Sequence, residues 1–145
     1  DSIPGDRLTH LYFDSNYPLN PKRGGKLEEL TLYNSDFGNY GTVIKGFLSV
    51  PVTGTYYFNI TGQRRAGMKI SATENPEEAV FIAYYDDNCC ISTYDHTREA
   101  TQTSQGQVLE KGKYYYFEIN HKAHISESAD YLNIYWKTPF YQDDR

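Results

Sequence analysis

Apolar and polar residues alternate with a period of two through the middle of this chain, the spacing that sends successive side chains to opposite faces of a β-strand. Over residues 55 to 61 the alternation places Tyr56, Phe58 and Ile60 on one face and Tyr57 and Asn59 on the other. Residues 43 to 50 put Ile44, Leu48 and Val50 together, and residues 68 to 72 offer Met68, Ile70 and Ala72. Between the first two of these runs stand Pro51 and Gly54, so the segment reads as a hairpin with a Pro/Gly turn. Ala79 to Tyr85 is apolar without interruption, as expected of a strand covered on both faces. Tyr115, Phe117 and Ile119 alternate with Tyr116, Glu118 and Asn120, and a last strand carries Leu132, Ile134 and Trp136 inward before Pro139. About seven strands punctuated by turn residues predict an antiparallel β-sandwich. Its expected core joins Tyr56, Phe58, Ile60, Phe117, Leu132 and Trp136.

The first forty residues are irregular, because Pro18, Pro21 and Gly24-Gly25 interrupt any long element; only Lys26 to Tyr33 reads as a short helix or strand. From Asp86 to Gln107 run about twenty mostly polar residues, longer than an ordinary connection and therefore the candidate binding loop. The bland alternative is a tolerated insertion that binds nothing.

Composition sharpens this picture. Fifteen tyrosines stand against one Trp and one Met, a balance that favours pleated, half-buried surfaces. At 145 residues the chain fits a single domain, one able to bury about 68% of its unfolded surface. The net charge of −5 with scattered Lys and Arg gives no basic stripe for a phosphate backbone, so nucleic acid is not an expected partner. No apolar run approaches the length that inserts into a bilayer, and the start lacks the pattern of a signal peptide, so the chain reads as a mature or excised part of a larger protein.

Asn59-Ile60-Thr61 matches a glycosylation acceptor on the face away from the core, which points to an extracellular or cell-surface origin. The alternative is a plain surface Asn. Cys89 and Cys90 are adjacent and have no distant partner, which leaves free thiols, a vicinal disulfide or bonds to another chain; in a secreted protein the vicinal bridge is preferred.

Four segments in order resemble the protective-antigen (PA-14) domain, a β-sandwich of bacterial toxins, glycosidases, yeast flocculins and epithelial adhesins, and large receptors of the fibrocystin type. They are Gly46, Leu48, Pro51, Gly54, Tyr56 and Phe58; Ile70 to Pro76 with Glu74-Asn75-Pro76; Val108 to Glu118 with Gly112, Lys113, Tyr114 and Tyr115; and Asp130 to Pro139 with Trp136. The resemblance covers roughly residues 10 to 139 and implies a single PA-14-like domain with long loops at one end. In sugar-binding members, two consecutive Asp chelate Ca²⁺ in the stretch that here reads Thr61 to Met68, and their positions fall on Gln63 and Arg64. One neutral amide and a guanidinium are a poor set for an ion that wants six to eight oxygen ligands, so no metal and no cofactor is expected there. Arg64 then reads either as a group that takes the cation's place toward Asp or Asn in neighbouring loops or, together with Arg65, as a solvated turn residue.

Asp86, Asp87 and Asn88, with Asp95 further on, form an acidic cluster dense enough in oxygen to hold calcium from a loop, or simply to solvate its tip. His121 and His124 lie three apart at a strand end, facing opposite sides, and read as partly exposed histidines that share no zinc. No nucleophile elbow and no zinc-hydrolase motif occurs. The expected function is a non-enzymatic recognition module that binds a glycan or protein through Gln63, Arg64, Arg65, Asp86, Asp87, Asn88, Asp95 and His121, with exposed Tyr84, Tyr94 and Tyr131 as stacking surfaces. The alternatives are a structural spacer in contact with neighbouring domains of a cell-surface receptor, or an accessory domain of a carbohydrate-active enzyme or toxin.

Overall fold

A computed structural model describes residues 3, 7–21, 24–25, 31–34, 38–86, 95, 97–124 and 130–140. In chain order the elements are α1 (Leu8–Tyr12), β1 (Thr31–Asn34), β2 (Gly41–Leu48), β3 (Gly54–Gly62), β4 (Arg65–Ile70), β5 (Val80–Asp86), β6 (Gln107–Leu109), β7 (Tyr115–Lys122) and β8 (Asp130–Lys137). The strands form two antiparallel four-stranded sheets, ordered β1-β8-β3-β6 and β2-β7-β4-β5. The predicted all-β sandwich is therefore the observed architecture.

Its core lies between the sheets. Tyr56, Phe58, Ile60 and Leu132 from the first sheet meet Ile44, Met68, Ile70, Ala83, Tyr85, Phe117 and Ile119 from the second, all buried. The alternation in β3 reports the core face correctly because one side of that strand faces the opposite sheet. Tyr56 also anchors the loop before it, its hydroxyl donating to the Val52 carbonyl at 2.7 Å.

Several sequence expectations are corrected. The Pro51-Gly54 segment is not a hairpin turn: β2 pairs with β7 and β3 with β6 and β8, so the chain crosses from one sheet to the other there. The apolar run 79–85 is not covered on both faces; β5 is an edge strand, with Val80, Phe81 and Tyr84 exposed. A bulge lets Met68 face Ala83 while Lys69 faces Phe81, which keeps Ala83 and Tyr85 inward. Ala72 lies past the end of β4 and is exposed. Trp136 leaves the core. It is 43% exposed and rests obliquely on Tyr56 and Phe58, with ring centroids 5.4 and 6.3 Å away. A cavity of about 140 Å³ lined by Leu48, Phe58, Met68, Phe117 and Ile134 opens beside it, so the sheets part before the indole can be enclosed.

Conversely β7, read as half-solvated, is buried along its whole length. Its outer face is covered by the N-terminal segment, which the sequence left unassigned. There Glu118 accepts from Asn120 Nδ2 at 2.8 Å, from the Tyr116 hydroxyl at 3.1 Å and from the Tyr17 hydroxyl at 3.2 Å. Lys69 Nζ at 3.4 Å and Lys45 Nζ at 3.8 Å balance its charge. Burial pushes the Glu118 carboxyl up, but the bonds from Asn120 and Tyr116 and the two ammonium groups outweigh it and hold the group below the usual carboxylate range. Burial and the same carboxylate push the hydroxyls of Tyr12 and Tyr116 up to about 12 and that of Tyr17 up as well.

Gly62, where β3 ends, is fixed by crowding. A Cβ at this position would meet the Tyr85 hydroxyl and would stand 2.6 Å from the Tyr131 carbonyl oxygen. Gly62→Ala is expected to lower stability by about 1–3 kcal/mol, since a backbone atom must give way; a urea midpoint unchanged from the parent protein would contradict this packing.

Candidate functional site

Gly62 leads into a two-residue corner, Gln63-Arg64, which carries the chain from the first sheet to the second. Three bonds hold this corner. The Gln63 amide donates to the Tyr131 carbonyl at 3.0 Å, and the Gln63 carbonyl receives the Tyr85 hydroxyl at 3.3 Å and lies 2.8 Å from His121 Nε2. Arg64 adopts φ 64°, the left-handed conformation that a non-glycine residue occupies at a cost and that lets the corner turn within two residues. The side-chain oxygen of Gln63 is buried without a hydrogen-bond partner among the described residues, a polar atom left unsatisfied within the corner.

The register of β4 against β5 puts Arg65 opposite Asp86. Arg65 Nε donates to Asp86 Oδ1, joining a buried guanidinium to an exposed carboxylate. Arg65 is thus neither a solvated turn residue nor a free cation, and its pairing with Asp86 was visible in the sequence only as two separate charged positions. His121, expected to be partly exposed, is 2% exposed, because it pairs with Ala66 in the middle of the second sheet and turns its ring toward the Gln63 carbonyl. Its role is to brace the corner. His124 is half-buried.

The second half of the long loop forms the adjoining wall. Asp95 accepts from the Thr97 amide and hydroxyl at 3.1 and 3.2 Å, a local turn that occupies one of its oxygens. Glu99 Oε2 receives the Asp86 amide at 3.3 Å, and the Glu99 amide donates to Gln102 Oε1 at 2.9 Å. Gln102, fully buried, sends Nε2 to the carbonyls of Ile60 at 3.1 Å and Asp95 at 2.9 Å. Ser104 and Phe58 exchange two bonds to extend the ladder along β3: the Ser104 amide donates to the Phe58 carbonyl at 2.8 Å and the Phe58 amide to Ser104 Oγ at 2.9 Å. The part from Glu99 to Gln107 is consequently a tethered segment rather than a free loop. Sequence reasoning missed Glu99 and Gln102; their spacing of three, a reciprocal cap on the short 3₁₀ turn Ala100–Gln102, was the available signal.

The structure therefore brings Gln63, Arg64, Arg65, Asp86, Asp95 and His121 to one end of the sandwich, with Asp95 linked through Gln102. Asp87, Asn88, Cys89, Cys90 and Tyr94 lie outside the described residues. Tyr84 is exposed on the edge strand and Tyr131 is half-buried beside the corner. Among the described residues no group of three or more His, Cys, Asp or Glu could hold a metal ion. At the corner itself the donor set is one amide side chain and two guanidinium groups, and the Gln63 carbonyl is already engaged by two donors; these residues do not fit calcium.

The chain is similar in sequence to parts of two kinds of known protein, and in fold to a third. It is 42% identical over 76 residues to fibrocystin-L of Mus musculus, and 39% identical over 74 residues to that of Homo sapiens, about half of this chain but 2% of each relative. It is 24% identical over 135 residues to the N-acetyl-beta-glucosaminyl-glycoprotein 4-beta-N-acetylgalactosaminyltransferase 1 of Mus musculus, spanning 13% of that protein. Among solved structures, the epithelial adhesin 6 A domain of Candida glabrata, in complex with Galβ1-3GlcNAc, superposes with a TM-score of 0.56 at 16% identity over 92% of this chain and 71% of that one. The epithelial adhesin 9 A domain, in complex with Galβ1-4GlcNAc, superposes with a TM-score of 0.52 at 18% identity over 71% of this chain and 46% of that one. At such identities the likeness is one of fold. No family model matches the chain.

Gln102→Ala is expected to cost about 1–3 kcal/mol, because it leaves the buried Ile60 carbonyl without a side-chain donor and frees the segment from Thr97 to Thr103. Amide hydrogen exchange should accelerate at residues 97–104 and remain slow in β7. Uniform exchange across the chain would contradict the tether.

Proposed function

We propose that this chain is a PA-14-type recognition module of the cell surface, non-enzymatic, which binds glycans through the end of the sandwich formed by the Gln63-Arg64 corner, the Arg65–Asp86 pair and the wall made by Asp95 and Thr97 to Gln102. The observation that carries the reading is the corner. Arg64 is held in a left-handed turn braced from below by Tyr85 and His121, at an end where fixed donors and acceptors of both signs stand side by side. Sugar hydroxyls both donate and accept, so they are served by such a mixed set, and a rigid backbone limits the entropy lost on binding. Two adhesin domains of the same fold were solved with galactosyl disaccharides, which supports the ligand class. Because a guanidinium stands where calcium would need a carboxylate, the binding proposed is independent of calcium. Proteins that contain similar segments are far longer than this chain, which supports a module with neighbouring domains in a larger surface protein. Among the described residues no helix is long and apolar enough to cross a membrane.

A glycan array probed with and without a calcium chelator tests the reading. Binding to galactose-terminated glycans unaffected by the chelator is the expected result. An array without signal would favour the second reading, a spacer that positions its neighbours, which the 2% share of fibrocystin-L also supports; binding abolished by the chelator would overturn calcium independence.

A further inference from the structure

The outer face of the first sheet holds a second feature, distant from the corner in function. A shallow cleft of about 500 Å³ runs over β3 and β8, and its lining includes Tyr57, Asn59, Thr103, Tyr135, Trp136 and Lys137. Asn59, the acceptor of the Asn59-Ile60-Thr61 triplet, sits in it with one tyrosine along its own strand and another on the neighbouring strand. Tyr57 precedes it by two residues, on the same face of the strand and about 7 Å away by strand geometry, and Tyr135 stands directly across from it in the β3–β8 register. Both rings are exposed, at 42% and 38%. Among the described residues no α-helix covers this face, since α1 packs against β7 of the other sheet.

We propose that Asn59 is N-glycosylated and that the cleft seats the first N-acetylglucosamine of its own glycan, held between Tyr57 and Tyr135. The pyranose ring has an apolar face of C–H groups, and an exposed tyrosine offers a rigid amphipathic surface at small entropic cost. Two such rings placed beside the attachment atom leave little chain freedom to lose on stacking, because the sugar is already tethered. Attachment forms a bond between Asn59 Nδ2 and the sugar C1, breaks the C1–O bond of a lipid-pyrophosphate-linked oligosaccharide, and releases one Nδ2 proton with the pyrophosphate as leaving group. The other Nδ2 hydrogen remains, and Asn59 Nδ2 already donates to Thr103 Oγ1 at 2.6 Å, a bond that holds the amide against a residue of the cleft's lining. The inference rests on the extracellular part of the reading above but not on ligand binding at the corner.

The test uses the chain secreted from mammalian cells behind an exogenous signal peptide, trimmed by an endoglycosidase to a single N-acetylglucosamine, against the same chain made in bacteria without glycan. Intact mass should show Asn59 occupied, and the trimmed form should melt ~3 °C above the bare one. Tyr57→Ser should remove most of that difference and Tyr57→Phe should retain it. Unmodified Asn59 overturns the proposal, as does coincident melting of trimmed and bare forms, or a difference that survives Tyr57→Ser. Binding of free chitobiose by a protein whose Asn59 stays unmodified would instead make the cleft a lectin site. Array results at the corner do not bear on these outcomes, so either claim can fail alone.

Discussion

Replacing Tyr56 by Ala is expected to destabilise the domain by about 3–5 kcal/mol, the cost of deleting a buried aromatic ring. Tyr56 has no solvent exposure, stands at the centre of the inter-sheet core, and holds the loop from Pro51 through its bond to Val52. Tyr56→Phe should cost only about 1 kcal/mol, the net value of that bond. Trp136→Ala is the informative contrast. Sequence alone predicts the full ~3–5 kcal/mol of a core tryptophan, but an indole already 43% exposed loses only part of its burial, about 1–2 kcal/mol. Urea melts of the three variants check the order Tyr56→Ala, then Trp136→Ala, then Tyr56→Phe; a Trp136→Ala loss equal to that of Tyr56→Ala would put the indole in the core.

Glu118→Gln should produce the second large loss, about 2–3 kcal/mol at neutral pH, since charge-assisted bonds from Tyr17, Tyr116 and Asn120 and two ammonium neighbours converge on one carboxylate. Lys45 and Lys69 stay partly solvated, which keeps the effect below that of breaking a fully buried ion pair. The pH dependence has a definite sign. The folded carboxyl titrates below its ordinary value of 4.5, so its stabilisation is complete above that value and is lost as pH falls through the lower, folded one. The parent protein should therefore lose stability in acid faster than Glu118→Gln, and the two stability curves should converge at low pH. A constant gap from pH 7 down to pH 3 would show that the carboxylate charge contributes nothing.

How far the structure was legible differs from element to element. β3 was readable because its outward residues are polar or amphipathic and its inward ones apolar, so pattern and burial coincide. β5 misled because its outward positions carry Val80, Phe81 and Tyr84. An apolar residue on an edge strand looks the same in sequence as one under a second layer, and here Lys69 Nζ sits 4.9 Å from the Phe81 ring in place of such a layer. β7 misled in the other direction. Glu118 and Asn120 are polar yet buried, because a segment a hundred residues earlier in the chain brings Tyr17 to satisfy them.

At the candidate site, the corner residues Gln63 and Arg64 could be located from their place after β3, and Asp86 from its place after the apolar run. What could not be read was their union. Arg65 meets Asp86 only through the β4–β5 register, and Gln102 enters through bonds to backbone carbonyls, which carry no residue signature.

The central claim, a glycan site at the Gln63-Arg64 corner that needs no calcium, is tested most directly by titrating the isotopically labelled chain with Galβ1-3GlcNAc in the presence of a chelator and following backbone amide shifts. Shifts that saturate and cluster at Gly62 to Arg65, Asp86 and Glu99 to Gln102, and that vanish in Arg64→Ala while its melt stays near the parent's, are the predicted result. Amides unmoved at the corner, or moved only around Tyr57, Asn59 and Tyr135, would contradict it.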